Sequence, residues 1–116
     1  MRLSVINEDL YSLNKKYIGH MNNGIKVYTV DGEYVRTYFD NDFAGAGHSL
    51  AYKGIIPKNE IWVENTLTSD KDIKAIILHE LVEHMMMSYF NMSYLEAHRR
   101  ANKIEHTFRN KFKLHP

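Results

Sequence analysis

The 116-residue sequence contains no cysteine, only two prolines and no long run of charges of one sign. Without cysteine there can be no disulfide and no thiolate zinc site, and this agrees with a reducing compartment such as the cytosol. The formal net charge of +1 gives no indication of a nucleic-acid groove or of a membrane surface. We therefore expect a cytoplasmic protein that binds neither nucleic acid nor membranes.

Long apolar segments are also missing. No uncharged stretch is long enough to span a bilayer, and the stretch from Met1 to Asp9 becomes acidic too early for a secretory signal. There is no internal repeat, low-complexity tract or linker. With 44% hydrophobic residues, the chain predicts one domain over residues 1–116 with its own core. The sequence gives no indication of the oligomeric state.

The most informative feature that is present is the apolar run from Ile76 to Met87, which contains the polar residues His79, Glu80, Glu83 and His84. On a helix, His79 and Glu83 lie one turn and about 40° apart, so both can contact one ion. Burying an ionised carboxylate costs several kcal/mol unless it is paired, and a divalent cation is an effective partner. The run therefore predicts a metal or catalytic site. A solvated polar stripe, or a His–Glu pair without metal, is the plainer interpretation.

Two helices are predicted in the last third of the chain. Ser69, with Asp72 three residues later, predicts a helix start, and the helix is expected to run to about Phe90. Asn91 is suited to a left-handed helix end, and Ser93 with Glu96 forms a capping box. The short connection predicts an antiparallel helical hairpin.

This hairpin brings further residues to the site. If the turn is centred near Asn91 and Met92, residues whose numbers add up to about 183 lie side by side on the two helices. His98 is then expected within about one turn of Glu83, and Glu105 level with His79. His79, Glu83 and His98 are then the candidate metal ligands. Glu105 can accept the other ring proton of His79 and orient it. The alternative is that His98 and Glu105 form only a polar seam between the helices.

The earlier part of the chain predicts a small sheet. Asn7 is expected to cap a first helix that closes at Gly19, and the turn signal Asp31-Gly32 predicts an antiparallel hairpin of residues 25–30 and 33–39. Residues 49–52 and 61–63 are predicted as further strands. The expected fold class is thus α+β, with an antiparallel or mixed sheet of three or four strands packed on the helical hairpin. His48 follows a glycine-rich loop expected near the cleft, and we expect it to be structural or to support a ligand.

The chemistry of the candidate ligands favours catalysis. Two imidazoles and one carboxylate with an open fourth position are typical of a catalytic zinc site. Zinc brings the pKa of a bound water down toward about 7, and a neighbouring carboxylate, here Glu80, can take the proton. His84, His48 and Glu105 remain possible alternative ligands.

The run Ile77-Leu78-His79-Glu80-Leu81-Val82-Glu83 resembles the active-site helix of zincins. Over roughly Phe43 to Glu105, the chain resembles small metallopeptidase-like proteins of bacteriophages and prophages, through Gly47-His48, Ile56-Pro57, Glu60-Ile61-Trp62-Val63 and Ala97-His98. The resemblance implies a zincin-like fold, ligands at His79 and Glu83, a catalytic base at Glu80, a peptide or protein substrate and a place in the host cytoplasm.

The sequence also departs from the zincin pattern. Glu83 stands where zincins have the second histidine, His84 is displaced by one position, and the glycine and third histidine of metzincins are missing. This ligand set can favour manganese or iron over zinc. The leading hypothesis is a zinc-dependent, peptidase-like hydrolase. One alternative is a non-catalytic phage or mobile-element protein whose His/Glu site is structural or mediates partner binding. Another is a magnesium enzyme that cleaves nucleotides, although it would need carboxylates where the second helix has His98.

Overall fold

The computed structural model describes residues 13–21, 23–67 and 69–113. The elements whose bounds are described are four strands and three helices. The strands are β1 (Lys16–His20), β2 (Lys26–Val30), β3 (Ala46–His48) and β4 (Glu60–Glu64). The helices are α1 (Gly32–Tyr38), α2 (Asp70–Tyr89) and α3 (Tyr94–Lys113). The fold is therefore α+β.

The four strands form one mixed sheet in the order β1-β2-β4-β3. β2 pairs with β4 in parallel, while β1 and β3 join the two sides of this pair in antiparallel orientation. The central strands are the apolar ones, and Val27, Val30, Ile61 and Val63 are buried. The sequence predicted an antiparallel or mixed sheet of three or four strands, and the structure has a mixed sheet of four.

Side chains alternate between the two faces of the sheet, and both faces are covered. On one face, Val30 and Trp62 pack with Val35 of α1 and with Phe43 and Ile56. On the other face, a second buried cluster is covered by α2 and consists of Ile25, Val27, Ile61 and Val63 with Ile76, Ile77 and Leu81 against it. This second face anchors the helix that carries the candidate site.

The predicted hairpin of residues 25–30 and 33–39 is wrong, because Gly32–Tyr38 is helix α1. Asp31 is an N-cap whose carboxylate accepts a hydrogen bond from the Tyr34 amide at 3.1 Å. The side chain of Glu64 lies against Gly32 where a Cβ would be, and it binds Arg36 at 2.7 Å. Helix capping and this contact with β4 outweigh the strand propensity of the aromatic and β-branched residues.

Two other predictions near the sheet need correction. The strand expected at residues 49–52 lies directly before them, at Ala46–His48, and residues 49–51 form a turn. The first helix does not extend to Gly19, because Tyr17 and Gly19 belong to β1. The proposed cap at Asn7 lies outside the described residues.

The helical pair agrees with the prediction. Ser69 accepts a hydrogen bond from the Asp72 amide and caps α2, and Asn91 has a φ of 52°. Ser93 accepts a bond from the Glu96 amide at the start of α3. Ala97 and Ala101 are fully buried, so small side chains let α2 and α3 approach closely. Among the described helices, none combines the length and the apolar character needed to cross a membrane.

Replacing Asp31 tests the helix assignment. We expect Asp31→Ala to lower the free energy of unfolding by about 1 kcal/mol, because the Tyr34 amide loses its acceptor. Asp31→Ser is the matched control and should keep most of the stability, because a serine hydroxyl caps equally well. Urea denaturation measures both. Equal losses in the two variants would contradict the capping role.

Candidate metal centre

The carboxylate of Glu83 is the centre of a buried polar cluster. Its Oε2 atom lies 2.7 Å from Nδ1 of His98 and 3.1 Å from Nε2 of His79. The two ring nitrogens are themselves 3.2 Å apart. Glu83 is only 2% exposed and His79 6%. Three potential metal-ligand atoms from two helices therefore converge on one point, as the sequence predicted for these residues.

Residue spacing on α2 and the antiparallel packing of α3 bring these side chains together. His79 and Glu83 are four residues apart on α2, so they share one face. His98 comes from α3 because the short turn around Asn91 folds that helix back, and buried Ala97 allows close packing. Tyr94 stacks on the His98 ring, with ring centroids 5.4 Å apart, and this contact restrains the ring.

The second oxygen of Glu83 has a different partner. Its Oε1 atom lies 2.8 Å from Nε2 of His48, which is fully buried at the end of β3. β3, α2 and α3 thus each contribute one histidine to the carboxylate of Glu83. One donor atom each from His48, Glu80 and Glu83 also lie within 4.8 Å of one another.

The Nδ1 side of the His79 ring faces a series of connected charged side chains. Its Nδ1 atom lies 2.9 Å from Oε1 of Glu105, an ion-pair distance, although the ring N–H direction is not aligned for a hydrogen bond. Arg109 binds the other oxygen of Glu105 at 2.8 Å and Asp72 at 2.6 Å. The predicted position of Glu105 is confirmed. The sequence reasoning missed Arg109 and Asp72, although the four-residue spacing of Glu105 and Arg109 was a usable signal.

Glu83 remains ionised. Burial raises the pKa of its carboxyl, but hydrogen bonds with His48, His79 and His98 outweigh burial and lower this pKa to about 2. Burial also lowers the pKa of His79, yet the hydrogen bond and charge of Glu83 and the charges of Glu80 and Glu105 raise it overall. In the metal-free protein, hydrogen bonds with the surrounding imidazoles therefore stabilise the negative charge of Glu83.

The surroundings of Glu80 shift its pKa in the opposite direction to that of Glu83. Burial, followed by the charge of Glu83, raises its pKa to about 8. Its side chain is 7% exposed and borders the same cleft as the ligand cluster. A carboxyl group with a raised pKa in a cleft is a candidate for proton transfer near neutral pH.

The cleft itself has a volume of about 470 Å³. Glu80, the ligand cluster and Glu105 form its polar side, and the described lining also includes Tyr52, Tyr94, Leu67, Ile76 and the backbone segment 44–46. The sequence reasoning predicted the nearness of the glycine-rich loop to the cleft, and the structure places Gly45 and Ala46 there. It missed both tyrosines: the position of Tyr52 depends on how sheet and helices dock, whereas Tyr94 lies four residues before His98 on α3, and this spacing was a usable signal.

His84 lies apart from the ligand cluster. Its ring packs edge-on against the His48 ring, with centroids 5.3 Å apart. Neither of the two groups of converging donor atoms in the described residues includes it.

The donor set fits a metal ion. Ligand atoms around a tetrahedral zinc lie about 3.4 Å apart. The three converging atoms lie 2.7, 3.1 and 3.2 Å apart, so they would need to separate by less than about 1 Å. Two imidazoles and one carboxylate suit zinc, and also manganese or iron. His79, Glu83 and His98 are the residues that would hold the ion.

The raised pKa of Glu80 predicts how its replacement affects stability. In the unfolded chain this carboxyl loses its proton near its ordinary pKa, whereas in the folded protein it keeps the proton up to about pH 8. Wild-type stability therefore falls as the pH rises through this interval. We expect Glu80→Gln to gain stability relative to wild type by about 1 kcal/mol per pH unit between about pH 5 and 8.

Denaturation in the presence of a chelator at several pH values measures this difference. Exposed Glu33 on α1 supplies the control, since Glu33→Gln should give a curve parallel to wild type. A parallel curve for Glu80→Gln as well would show that burial does not raise the pKa of Glu80.

Comparisons of the chain with protein-family models, with curated proteins and with solved structures found no match. The likeness to zincins therefore stays a prediction from the residues of the α2 motif.

Proposed function

We propose that this chain is a metal-dependent hydrolase, with zinc as the preferred ion and an amide or peptide as the substrate. The single observation that carries the proposal is the convergence of His79, Glu83 and His98 beside Glu80 in one cleft. A buried carboxyl group with a raised pKa beside such a cluster is more typical of a catalytic site than of a structural one.

The proposed ligand set leaves room for a reacting group. His79 and Glu83 are buried, but the side chain of His98 is 41% exposed and faces the cleft. Three protein ligands with one open position are typical of catalytic zinc sites, whereas structural sites are closed by four. Manganese or iron would also be compatible with these donors.

When bound, zinc would polarise a substrate carbonyl and lower the pKa of a water molecule toward about 7. The positive charge of the bound ion would lower the pKa of Glu80 from its metal-free value of about 8, so that the ionised carboxylate would accept a proton from the attacking water and pass it to the leaving nitrogen. Glu105, held by Arg109, would keep the His79 ring oriented with Nε2 toward Glu83. Glu83 would stay ionised and contribute negative charge.

The surroundings of the cleft support a peptide-like substrate. β3 is at the end of the strand order, and its outer side pairs with no strand in the described part of the chain. Ala46 at the start of β3 and the two residues before it line the cleft. An extended peptide can bind to such a strand edge through main-chain hydrogen bonds. Leu67 and Ile76 would contact an apolar side chain.

The active site we propose is zincin-like in its helix and different in its second ligand. His79 and Glu80 occupy the positions of the first ligand and the base, and Glu83 replaces the second histidine. His98 supplies the third ligand from the following helix.

One observation favours a second candidate function. Glu83 connects side chains of β3, α2 and α3, so a metal there would also lock the sheet to the helical pair. In this alternative the chain is a non-catalytic protein of a phage or mobile element, in which the site is structural or supports partner binding.

Replacing Glu80 separates the two functions. We expect purified wild-type protein to bind one zinc per chain and to hydrolyse members of a library of internally quenched peptides. Glu80→Gln should keep the zinc and lose activity by roughly 100-fold or more, because the proton acceptor is gone. Elemental analysis and fluorescence assays measure the two properties. Zinc binding without hydrolysis of any peptide by the wild type would favour the structural alternative.

Two histidines of α3 provide a matched test of the ligand assignment. His98→Gln should weaken zinc binding by more than about 100-fold, since loss of a ligand exceeds the 10–100-fold effect of a supporting residue. His106→Gln should leave it unchanged, because His106 is exposed and bonds Asn110 on the same helix. Titration calorimetry gives both affinities. Similar values for the two variants would remove His98 from the site.

A further inference from the structure

The turn after β3 determines which nitrogen of His48 carries the proton. The backbone amides of Leu50 and Ala51 lie 3.2 and 3.4 Å from Nδ1 of His48 and donate to it. A backbone amide can only donate, so Nδ1 must be a bare acceptor. A neutral imidazole with a bare Nδ1 carries its proton on Nε2. His48 is therefore the Nε2–H tautomer.

This tautomer gives the contact with Glu83 a direction. The Nε2–H group of His48 donates to Oε1 of Glu83 at 2.8 Å. To bind a cation, Nε2 of His48 would have to lose its proton, and because Nδ1 stays bare to accept the two amides, the ring would become an imidazolate anion. His48 is therefore not a metal ligand while the turn stays in place. The cluster of His48, Glu80 and Glu83 is for the same reason not a second metal site, although its donor atoms lie within 4.8 Å.

We propose that His48 is a positioning residue of the metal site: its Nε2–H group holds Oε1 of Glu83 and leaves Oε2 as the oxygen that ligates a cation with His79 and His98. This inference rests on the proposed function. It assigns the two oxygens of one carboxylate different tasks. A carboxylate that ligates through one oxygen suits the small tetrahedral zinc site, whereas larger cations often take both oxygens.

The surroundings of His48 keep its ring in this orientation. The residue has no exposed surface, and its ring lies against that of His84. Its carbonyl accepts a bond from the Tyr52 amide, which closes the turn. The Tyr52 ring occupies the space that a Cβ of Gly47 would need, so glycine at position 47 permits this packing. These contacts fix the conformation of the turn and the orientation of the His48 ring before any cation binds.

Imidazole NMR of the wild-type protein tests the proposal directly. Long-range proton–nitrogen correlation distinguishes protonated, bare and metal-bound ring nitrogens, and the His48→Gln spectrum assigns the His48 signals. In metal-free protein, we expect His48 with a protonated Nε2 and a bare Nδ1. On addition of zinc, Nε2 of His79 and Nδ1 of His98 should change to metal-bound signals, while His48 keeps its proton.

The possible failures are distinguishable. A proton on Nδ1 of His48, or a metal-bound Nε2 signal from this residue, overturns the positioning role. If zinc changes none of the histidine signals, the metal site itself is wrong, and with it the role of His48 as its positioning residue. The tautomer in metal-free protein is still decided in that case, so the two failures are separate observations.

Two variants at position 48 supply the functional readout. Gln places an amide donor near the position of Nε2, whereas Leu fills similar space without a donor. We expect His48→Leu to weaken zinc binding by about 10–100-fold, as is typical of lost supporting bonds, and His48→Gln to restore most of it. Circular dichroism identifies a variant that fails to fold. In that case the NMR spectra of the wild-type protein decide whether His48 has the positioning role. Equal losses in two folded variants would overturn the proposal.

Discussion

The structure depends on the compensation of one buried carboxylate. Glu83 is 2% exposed, and an unpaired charge at such a position costs several kcal/mol. Its compensation comes from imidazoles on three elements, namely β3, α2 and α3. The sheet and the helical pair must therefore dock in a way that brings these side chains to one point. Residues as small as Ala97 and Ala101 at the helix contact serve the same requirement, because they permit the close approach.

Two glutamates three residues apart acquire opposite properties from their surroundings. Burial raises the pKa of both, but the imidazoles around Glu83 reverse the effect and bring it to about 2, whereas Glu80 stays near 8. Pairs of carboxyl groups with separated pKa values are typical of sites where one group holds charge and the other moves protons. In the proposed function, these tasks are metal ligation by Glu83 and proton transfer by Glu80. The same helix presents both side chains to one cleft.

The sequence predicted the site better than the sheet, for physical reasons. The spacing of His79 and Glu83 on one helix, and the capping signals around Asn91, are local, and they place His98 and Glu105 correctly. The segment after Asp31 combines strand-favouring residues with a turn signal, and only the docking against Glu64 decides for a helix. The contact of Arg109 with Asp72 and the position of Tyr52 in the cleft could not be assigned from spacing, because they depend on how separate elements dock.

In the proposed site, Glu83 stands where zincins have a histidine, which would change the charge of the ligand set, and His48 would act on that change. Two imidazoles and one carboxylate would reduce the charge of a divalent cation from +2 to +1, which weakens its polarising power compared with three neutral ligands. A hydrogen bond from His48 to Oε1 withdraws negative charge from the carboxylate and makes it a weaker donor. The carboxylate would then donate less negative charge to the cation, so the ligand set would resemble three neutral histidines more closely. The glycine at position 47 and the turn after β3 are then part of the electrostatics of the site, because they hold the imidazole that makes this bond.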